Sequence, residues 1–529
     1  MPLLILAGAR NLEVFSPDGV AYMRVAQYYL AGQADLAING YWGPLISWMM
    51  VPFLPLSDDP VVAARFATGI SAVLFLLGAL RVSIVLGLTV PAFVAGAVIL
   101  VPYSVYWSVR GITPDLLFSG LFLLGLSFIL EVGRGGIERR ALVAGVVVGT
   151  AYLAKAVALP VSITVVIALA MLRGSCGMMA WRHASRAAVL SLTGIGLIAA
   201  PWIVVLSMHY GKPTFSTSGA INHAIAGPDA GPHQWAHPFT RTFHVPAPGR
   251  ITSWEDPSQM NYPQWSAFES LENFVHQVRV SIGSIGRISS ILTNFDLFGL
   301  GLAAAAMGFF FHWPWKEGFE KQPWRQVGLI VAIHCSAYIL FSTRVERYFV
   351  NCYPLLMVAA FGFTHWLADQ VNGHGRWGIL GEPGRLFPMA AVALVLFAFV
   401  PRSADLFAYG LSGQVDQAYL HAKSVAAALG PMAKDPSGGV AVAGPDNDFG
   451  IRLSFVSGRP YFGRSNVAVD AATLHATGAK ILVVARGSAT DVALAADPSV
   501  APLGLASARL NATSEDLAVR VYRVLTPGR

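Results

Sequence analysis

Residues 114–132 read PDLLFSGLFLLGLSFILEV, and the basic residues Arg134, Arg139 and Arg140 follow shortly after. A bilayer core about 30 Å thick needs about 20 mostly apolar residues per helix. This stretch therefore predicts a membrane-spanning helix with a basic flank. Similar apolar blocks recur through the chain, and they predict spans near 61–80, 89–108, 114–132, 141–156, 157–172, 187–207, 291–311, 327–343, 348–367 and 386–400.

The composition of the whole chain agrees with these spans. Of its 529 residues, 55% are hydrophobic and 12% are Asp, Glu, Lys or Arg, whereas soluble domains carry about 25% charged residues. This excludes a soluble multidomain enzyme and a disordered chain. The three cysteines, Cys176, Cys335 and Cys352, are too few for a disulfide framework, and we interpret them as packing thiols.

The formal net charge of +7 arises from basic residues placed between the apolar blocks. Such clusters mark the cytoplasmic side of a membrane protein, so topology and phosphate handling explain the charge better than a nucleic-acid partner does. The clusters are Arg134, Arg139 and Arg140, then Arg173, Arg182 and Arg186, then Lys316, Lys321 and Arg325, then Arg376 and Arg385. The segments left on the outer face are 10–60, 109–114, 155–157, 208–290, 344–347 and 401–529.

The two ends of the chain differ from this pattern. Met1–Ala9 is too short for a span, so we expect a first helix that is truncated or completed by residues 11–15. Near the other end, short β-branched runs at 439–443, 480–485 and 519–525 alternate with helical stretches near 414–430 and 446–457. This alternation is typical of a small α/β domain.

The predicted fold is an α-helical polytopic membrane protein with about 10–12 transmembrane helices and a small C-terminal α/β periplasmic domain. The transmembrane catalytic domain would cover 1–400, including the outer loops 10–60 and 208–290. The soluble domain would cover 401–529.

Asp18 is the first candidate for chemistry. Ser16 is a plausible N-cap and Pro17 a good first helical residue, so Asp18 lies in a helix's first turn, with Tyr22 and Tyr29 along one face. An acid in that position is ordinarily explained by the helix dipole. The functional interpretation is a carboxylate at the membrane surface that takes a proton from a hydroxyl.

Asp115 lies in a similar sequence pattern, because Thr113-Pro114-Asp115 opens the span near 114–132 as Ser16-Pro17-Asp18 opens the first outer helix. Arg110 precedes it on the same outer face. Here a capped helix start explains the residues as well as a functional role does. Lys155 interrupts an apolar run at a tight outer turn. It could snorkel to the interface, or bind a phosphate oxygen as a compact ammonium.

Two further outer segments carry candidate residues. Arg344 and Arg347 break the positive-inside trend, either because Glu346 pairs with Arg347 or because they bind a phosphate. The loop 208–290 is rich in His, Pro and Trp, and its histidines are better interpreted as loop residues than as metal ligands. Trp254 and Glu255 have the composition of a sugar platform, although the loop could equally be a packing lid.

In order and sidedness these segments resemble the GT-C superclass of membrane glycosyltransferases. The similarity is greater to the branch of protein O-mannosyltransferases and lipid A aminoarabinose transferases. That branch opens with D-E-x-x-Y-x-x-x-A, which Asp18, Tyr22 and Ala26 match, while Gly19 replaces the second acid. Residues 39–48, with Trp42, and 344–354 are similar to two further family segments. The resemblance covers most of 16–370 and leaves 208–290 and the C-terminal domain outside.

The resemblance implies a hexosyl or pentosyl transferase of the inner membrane. It would take a sugar from a polyprenyl phosphate and give it, with inversion, to a lipid, glycan or protein acceptor at the periplasmic face. Asp18 would be the general base, and Asp115 would orient the acceptor or a metal. The family varies in its use of a divalent metal, which leaves that cofactor open. Implied donor-phosphate ligands are Lys155, Arg344, Arg347 and Arg110, and implied substrate contacts are Tyr22, Tyr29, Trp42, Trp254 and Glu255.

Two other classes of function compete with this interpretation. A transporter or flippase would place polar residues mid-span in paired, interrupted helices, whereas the charges here lie at the outer ends of spans. A non-catalytic receptor could use the C-terminal domain alone, but it leaves the ordered outer acids and bases unexplained.

Overall fold

A computed structural model of the chain describes residues 2–131, 137–228, 237–294, 306, 323–341, 345–373, 402–429, 438–443, 447–465, 467–503 and 519–525. The helices are α1 (Pro2–Arg10), α2 (Pro17–Leu30), α3 (Ala34–Ala37), α4 (Pro44–Met50), α5 (Pro60–Val85), α6 (Val90–Arg110), α7 (Asp115–Glu131), α8 (Ile137–Ala154), α9 (Ala158–Ser175), α10 (Trp181–Tyr210), α11 (Ser218–Ala224), α12 (Leu271–Asn294), α13 (Val327–Ile339), α14 (Cys352–Gly373), α15 (402–411), α16 (Gln417–Leu429), α17 (Asn447–Ser457), α18 (Ala471–Thr477) and α19 (Ala489–Ala495). The strands are β1 (Gly439–Ala443), β2 (Tyr461–Ser465), β3 (Ala479–Ala485), β4 (Val500–Leu503) and β5 (Val519–Val524).

A bundle of apolar helices forms the body of the molecule. Within the described residues, α5, α6, α9 and α10 are long and apolar enough to cross a membrane. In the bundle α5 packs against α6 and α7, and α8 packs against α7, α9 and α10. These helices confirm the predicted polytopic membrane fold.

Small residues set two of the helix contacts. A Cβ atom added at Gly78 of α5 would lie 2.5 Å from the carbonyl oxygen of Gly120 in α7. One added at Gly145 of α8 would lie 2.0 Å from the carbonyl oxygen of Ser191 in α10. Close backbone approach of this kind is how membrane helices gain van der Waals contact without a hydrophobic driving force between them.

Arg65 of α5 attaches the segment between α1 and α2 to the bundle. Its guanidinium is buried and donates to the carbonyl oxygens of Asn11 and Val14, just before α2. It also donates to the carbonyls of Ser108 and Val109 near the end of α6. These backbone carbonyls hold the entry to α2 in place against two membrane helices.

The C-terminal part contains a five-stranded sheet in the order β2-β1-β3-β5-β4. Strand β1 runs parallel to β2 and β3, and β5 runs antiparallel to β3 and β4. The strand β1 covers the run predicted at 439–443, and β3 and β5 match the other two predicted runs within a residue. The small α/β domain is therefore confirmed.

This domain docks directly on two segments that connect the membrane helices, one before α2 and one between α11 and α12. Arg452 of α17 donates to the carbonyl oxygen of Phe15 at 2.8 Å, two residues before α2. The Phe15 ring lies edge-on against Tyr419 and Phe455 of the same domain. The backbone N–H of Tyr461 at the start of β2 donates to the carbonyl of Ile251 in the long outer segment.

Several predicted boundaries differ from the structure. The first helix ends at Arg10, and residues 11–15 do not extend it. The segment predicted as the loop 208–290 contains α11 and most of α12, whose apolar residues recur along one exposed face. The predicted span 386–400, most of 291–311 and the domain boundary at 400 lie outside the described residues.

Candidate functional site

A cavity of about 590 Å³ opens where one end of the helix bundle meets the segments that connect the helices. Among the described residues that line it, four side chains carry charge. Asp18 lies in the first turn of α2, and Asp115 is the first residue of α7. Lys155 lies in the turn between α8 and α9, and Arg347 lies in the 3-10 helix Glu346–Phe349. The chain thus brings four distant segments to one place.

The four charged groups form a continuous chain of ion pairs. Lys155 Nζ lies 2.5 Å from Asp115 Oδ1, and Arg347 Nη2 lies 2.5 Å from Asp18 Oδ2. Arg347 Nε lies 3.4 Å from Asp115 Oδ2 and links the two pairs. Only 4% of the Asp115 side chain and 14% of the Asp18 side chain is exposed, so water screens these contacts poorly.

Burial and the neighbouring carboxylates shift the pKa values of the two cations in opposite directions. Burial disfavours the ammonium of Lys155 and lowers its pKa, although Asp115 opposes this shift. Burial also disfavours the charge of Arg347, but attraction by Asp18 and Asp115 outweighs it and raises the pKa of Arg347. The Tyr348 ring lies 3.8 Å from Lys155 Nζ and contributes a cation–π contact.

Aromatic residues form one wall of the cavity beside Asp18. The indole N–H of Trp254 donates to Asp18 Oδ1 at 3.2 Å. The Trp254 ring packs against Trp42 at 5.2 Å, Tyr41 at 5.8 Å and His237 at 4.5 Å between ring centroids. A wall of this kind can stack on the apolar face of a sugar ring.

His237 is neutral in this wall. Its Nδ1 lies 2.8 Å from the hydroxyl of Tyr262. Burial lowers the pKa of His237 to about 4, and the nearby charge of Asp18 opposes this only in part. A neutral imidazole can offer either a donor or an acceptor to a hydroxyl in the cavity.

The structure brings together some of the predicted site residues and separates others. Asp18, Asp115, Lys155, Arg347, Tyr22, Trp42 and Trp254 all line the cavity. Arg110 instead donates to the Tyr106 hydroxyl and faces the Tyr409 ring, outside the lining. Tyr29 packs against Trp48, also outside it. Arg344 lies outside the described residues.

Glu255, predicted as a substrate contact, instead holds a local turn together. It is fully buried and accepts hydrogen bonds from the Tyr28 hydroxyl and from the backbone N–H groups of Ile251 and Thr252. Together with the Thr252 side chain it forms a capping box around a single helical turn. Its role is to shape the segment that presents Trp254, and it does not line the cavity.

Tyr41, His237 and Tyr348 also line the cavity and were not among the predicted site residues. Tyr348 directly follows Arg347, and Tyr41 directly precedes Trp42, so adjacency to a predicted residue was an available signal. His237 carried no such signal, because it is one of several histidines in a long segment without a regular pattern.

The residues of this site do not fit a divalent metal. The carboxylates of Asp18 and Asp115 already face Arg347 and Lys155, which occupy the positions a cation would take. Among the described residues, no group of three or more His, Cys, Asp or Glu side chains is arranged to hold a metal ion.

Comparison with solved structures identifies the fold. ArnT from Cupriavidus metallidurans bound to undecaprenyl phosphate matches with a TM-score of 0.53 at 13% identity, over 99% of this chain and 98% of that chain. The oligosaccharyltransferase AglB from Archaeoglobus fulgidus, in complex with an inhibitory peptide and a dolichol-phosphate, matches with a TM-score of 0.55 at 11% identity, over 92% of this chain and 69% of that chain.

The chain has the fold of the GT-C membrane glycosyltransferases. A third structure, the A. fulgidus oligosaccharyltransferase in complex with Zn and sulfate, matches with a TM-score of 0.53 at 13% identity, over 91% of this chain and 68% of that chain. No family model matches the chain, and no curated protein matches it by sequence. At such low identities these matches establish the GT-C fold, while the activity must be argued from the site.

Proposed function

We propose that this GT-C protein is a glycosyltransferase that uses a polyprenyl-phosphate-linked sugar as donor. It gives the sugar, a hexosyl or pentosyl group, to a hydroxyl of a lipid, glycan or protein acceptor at the periplasmic face of the inner membrane. The observation that carries the proposal is the set of two carboxylates and two cations in one cavity at the helix ends. The undecaprenyl phosphate of ArnT and the dolichol-phosphate of AglB support the donor class.

Each charged group has a role in a single displacement. The acceptor oxygen attacks the anomeric carbon, and its proton passes to Asp18. The bond from the anomeric carbon to the phosphate oxygen breaks, and its electron pair leaves with the polyprenyl phosphate. Arg347 and Lys155 stabilise the charge that develops on this phosphate. One displacement inverts the anomeric carbon.

The remaining lining residues position the reactants. Asp115 keeps Lys155 directed into the cavity through their 2.5 Å contact. The aromatic wall of Trp42, Trp254 and Tyr41 stacks on a sugar ring, and Tyr22 packs beneath it against Trp42. A metal ion, such as the Zn of one archaeal structure, receives no role because Arg347 and Lys155 already neutralise the carboxylates.

The transporter alternative has less support from the same geometry. The charged group lies at helix ends and turns, whereas a transport site is expected near the middle of the bilayer between interrupted helices. Movement of a lipid-linked sugar across proteoliposomes without formation of a glycosidic bond would nevertheless favour that function over transfer.

The first test is sugar transfer from a panel of radiolabelled polyprenyl-phosphate sugars in membranes that supply native acceptors. The wild type is expected to consume one donor and form a labelled product, and Asp18→Asn is expected to form less than about a hundredth as much. Asp35→Asn is the matched control, since Asp35 is exposed on α3 and away from the cavity. Full activity in Asp18→Asn would exclude Asp18 as the base.

A further inference from the structure

Helix α12 carries apolar residues on two opposite sides. On one side Val280, Ile288 and Leu292 are buried against the rest of the protein. The other side carries a second apolar set, in which 79% of Leu271 and 65% of Ile282 is exposed. This set, the exposed stripe of α12, consists of Leu271, Phe274, Val275, Val278, Ile282 and Ile285. A helix on a water-exposed surface turns polar residues outward, so the stripe indicates a second apolar environment.

The exposed stripe is continuous along the helix. Its members recur every three or four residues, so they share one face of α12. From Leu271 to Ile285 the stripe extends about 21 Å along the helix axis, at a rise of about 1.5 Å per residue. Single exposed apolar side chains are normal on a soluble surface, whereas a contiguous patch marks contact with a partner or a membrane.

Hydrogen bonds attach the opposite side of α12 to two segments beside the cavity. Ser284 Oγ donates to the carbonyl oxygen of Phe341 at 2.7 Å, just beyond α13. His276 Nε2 donates to the carbonyl oxygen of Ala226 at 2.8 Å, just beyond α11. Helix α12 also packs against α13, which lies within the predicted membrane span 327–343. The exposed stripe therefore faces away from a helix that is expected in the bilayer.

Two observations favour lipid as the occupant of this face. Leu197 and Val204 are exposed to a similar degree on α10, a helix long and apolar enough to cross a membrane. Arg279 is exposed at the edge of the stripe, one helical turn from Val275 and Ile282. An arginine in this position can lay its alkyl chain along hydrocarbon and extend its guanidinium to a lipid phosphate.

We propose that the exposed stripe of α12 lies in the hydrocarbon of the bilayer leaflet next to the cavity. Lipid acyl chains cover the stripe, and phosphate headgroups meet Arg279. This places α12 in the membrane and not in the outer loop 208–290 that the sequence predicted. The lipid-embedded helix supports two walls of the cavity, because Phe341 and Ile225 line it and α12 bonds to the backbone at or next to each of them.

Nitroxide labels on the stripe test this position. Phe274→Cys, Val278→Cys and Ile282→Cys are each labelled in the full chain, with its native cysteines replaced, and reconstituted in vesicles of phosphatidylethanolamine and phosphatidylglycerol. Oxygen concentrates in hydrocarbon, whereas a nickel chelate stays in water. The ratio of relaxation by oxygen to relaxation by nickel should therefore be about fivefold or more higher at these positions than at a water-exposed control.

The matched controls are Val467→Cys and Val492→Cys in the C-terminal domain. These valines are 72% and 67% exposed, so they are as open as the stripe and equally apolar in the native chain. Three stripe positions keep the test decisive if one variant is unstable, and thermal unfolding identifies such a variant.

Two results would overturn the proposal. Nickel access at all three stripe positions equal to that at the controls would place α12 in water. Low access of both oxygen and nickel would mean that protein covers the stripe. Spin–spin broadening would then identify a second copy of the chain, and unbroadened spectra another part of the same chain. Neither result depends on sugar transfer, so the proposal can fail while the proposed function stands.

Discussion

At the scale of single residues, Trp254 should act on turnover more than on donor binding. Its N–H donates to Asp18 Oδ1 at 3.2 Å, so Trp254→Phe keeps an aromatic ring but removes one of the two side-chain contacts that orient the proposed base. Since hydrogen bonds to charged groups contribute about 1.5–3 kcal/mol, we expect kcat to fall about tenfold or more with little change in KM for the donor. Steady-state kinetics on a labelled donor checks this.

The control for this variant is Trp48→Phe. Trp48 packs against Tyr29 and Trp202 outside the cavity, so the same substitution there should leave both constants nearly unchanged. A raised KM with an unaltered kcat in Trp254→Phe would mean that the indole contributes to sugar binding and does not position Asp18.

His237 makes the stability of the folded protein depend on pH. Its pKa of about 4 in the folded protein is below the ordinary value of about 6.5, so the unfolded chain binds more protons between these values. The contribution of His237 to stability is therefore complete above about pH 6.5 and is lost as the pH falls toward 4. At pH 5 this loss should be about 1–2 kcal/mol.

The measurement is the difference in thermal unfolding between pH 7.5 and pH 5 for the wild type and for His237→Gln. The glutamine can still reach the Tyr262 hydroxyl but does not titrate. The two proteins differ only at residue 237, so the contributions that they share cancel in the comparison. An equal loss of stability in both proteins would mean that His237 is not the group responsible.

At the scale of elements, the start of α4 packs so closely against the Lys155 turn that no side chain larger than glycine fits at residue 43. A Cβ atom at Gly43 would lie 2.4 Å from the carbonyl oxygen of Ala154 and 2.7 Å from that of Leu153. Both are backbone atoms, so Gly43→Ala must displace the turn that aims Lys155. We expect transfer to fall about tenfold or more, because small displacements of a positioning group are costly.

The matched control is Gly69→Ala in α5, where an added Cβ meets no atom within 4 Å. That substitution should keep activity and stabilise its helix slightly. The measurement is the rate of sugar transfer by Gly43→Ala and Gly69→Ala under identical conditions. Equal activities would show that the Lys155 turn tolerates displacement.

Elements also explain what the sequence could and could not predict. The start of α2 at Pro17 and the span beginning at Asp115 follow from local signals, namely prolines and apolar runs, although the predicted N-cap Ser16 makes no side-chain hydrogen bond to the start of α2. The pairing of Arg347 with Asp18 joins residues 329 positions apart, and no local signal encodes it. It depends on how segments far apart in the chain pack together in three dimensions.

Arg110 is a second example of a contact that the sequence could not predict. The sequence placed it correctly near the end of a span and close to Asp115 in number. In the structure it is the last residue of α6 and turns toward Tyr106, one helical turn earlier. Proximity along the chain thus suggested a phosphate ligand, while the helix geometry directs the side chain elsewhere.

At the scale of the whole molecule, the C-terminal domain helps to hold the segment that carries Asp18. Arg452 Nη2 lies 2.5 Å from Asp416 Oδ2 and also donates to the carbonyl oxygen of Phe15. Only 6% of the Arg452 side chain is exposed. Arg452→Met leaves Asp416 without this partner, so we expect a loss of about 2–4 kcal/mol of stability. Thermal unfolding and transfer assays should both report it.

Two controls separate this contact from surface charge. Lys423 pairs with Glu13 in an exposed position, so Lys423→Met should cost less than about 1 kcal/mol. The double variant Arg452→Met with Asp416→Leu removes the orphaned charge and should recover part of the stability. If Arg452→Met unfolded no earlier than Lys423→Met, the domain would not stabilise the entry to α2.

The orientation of the whole molecule yields the last prediction. Helix α8 runs from Ile137 to Ala154 and ends beside the cavity, so Arg139 lies about 23 Å along the helix axis from that end. In a variant in which Cys176, Cys335 and Cys352 are replaced, Asp35→Cys should react with a membrane-impermeant maleimide in intact spheroplasts. Arg139→Cys should react only after permeabilisation. The reverse pattern would place the cavity in the cytoplasm and contradict transfer at the periplasmic face.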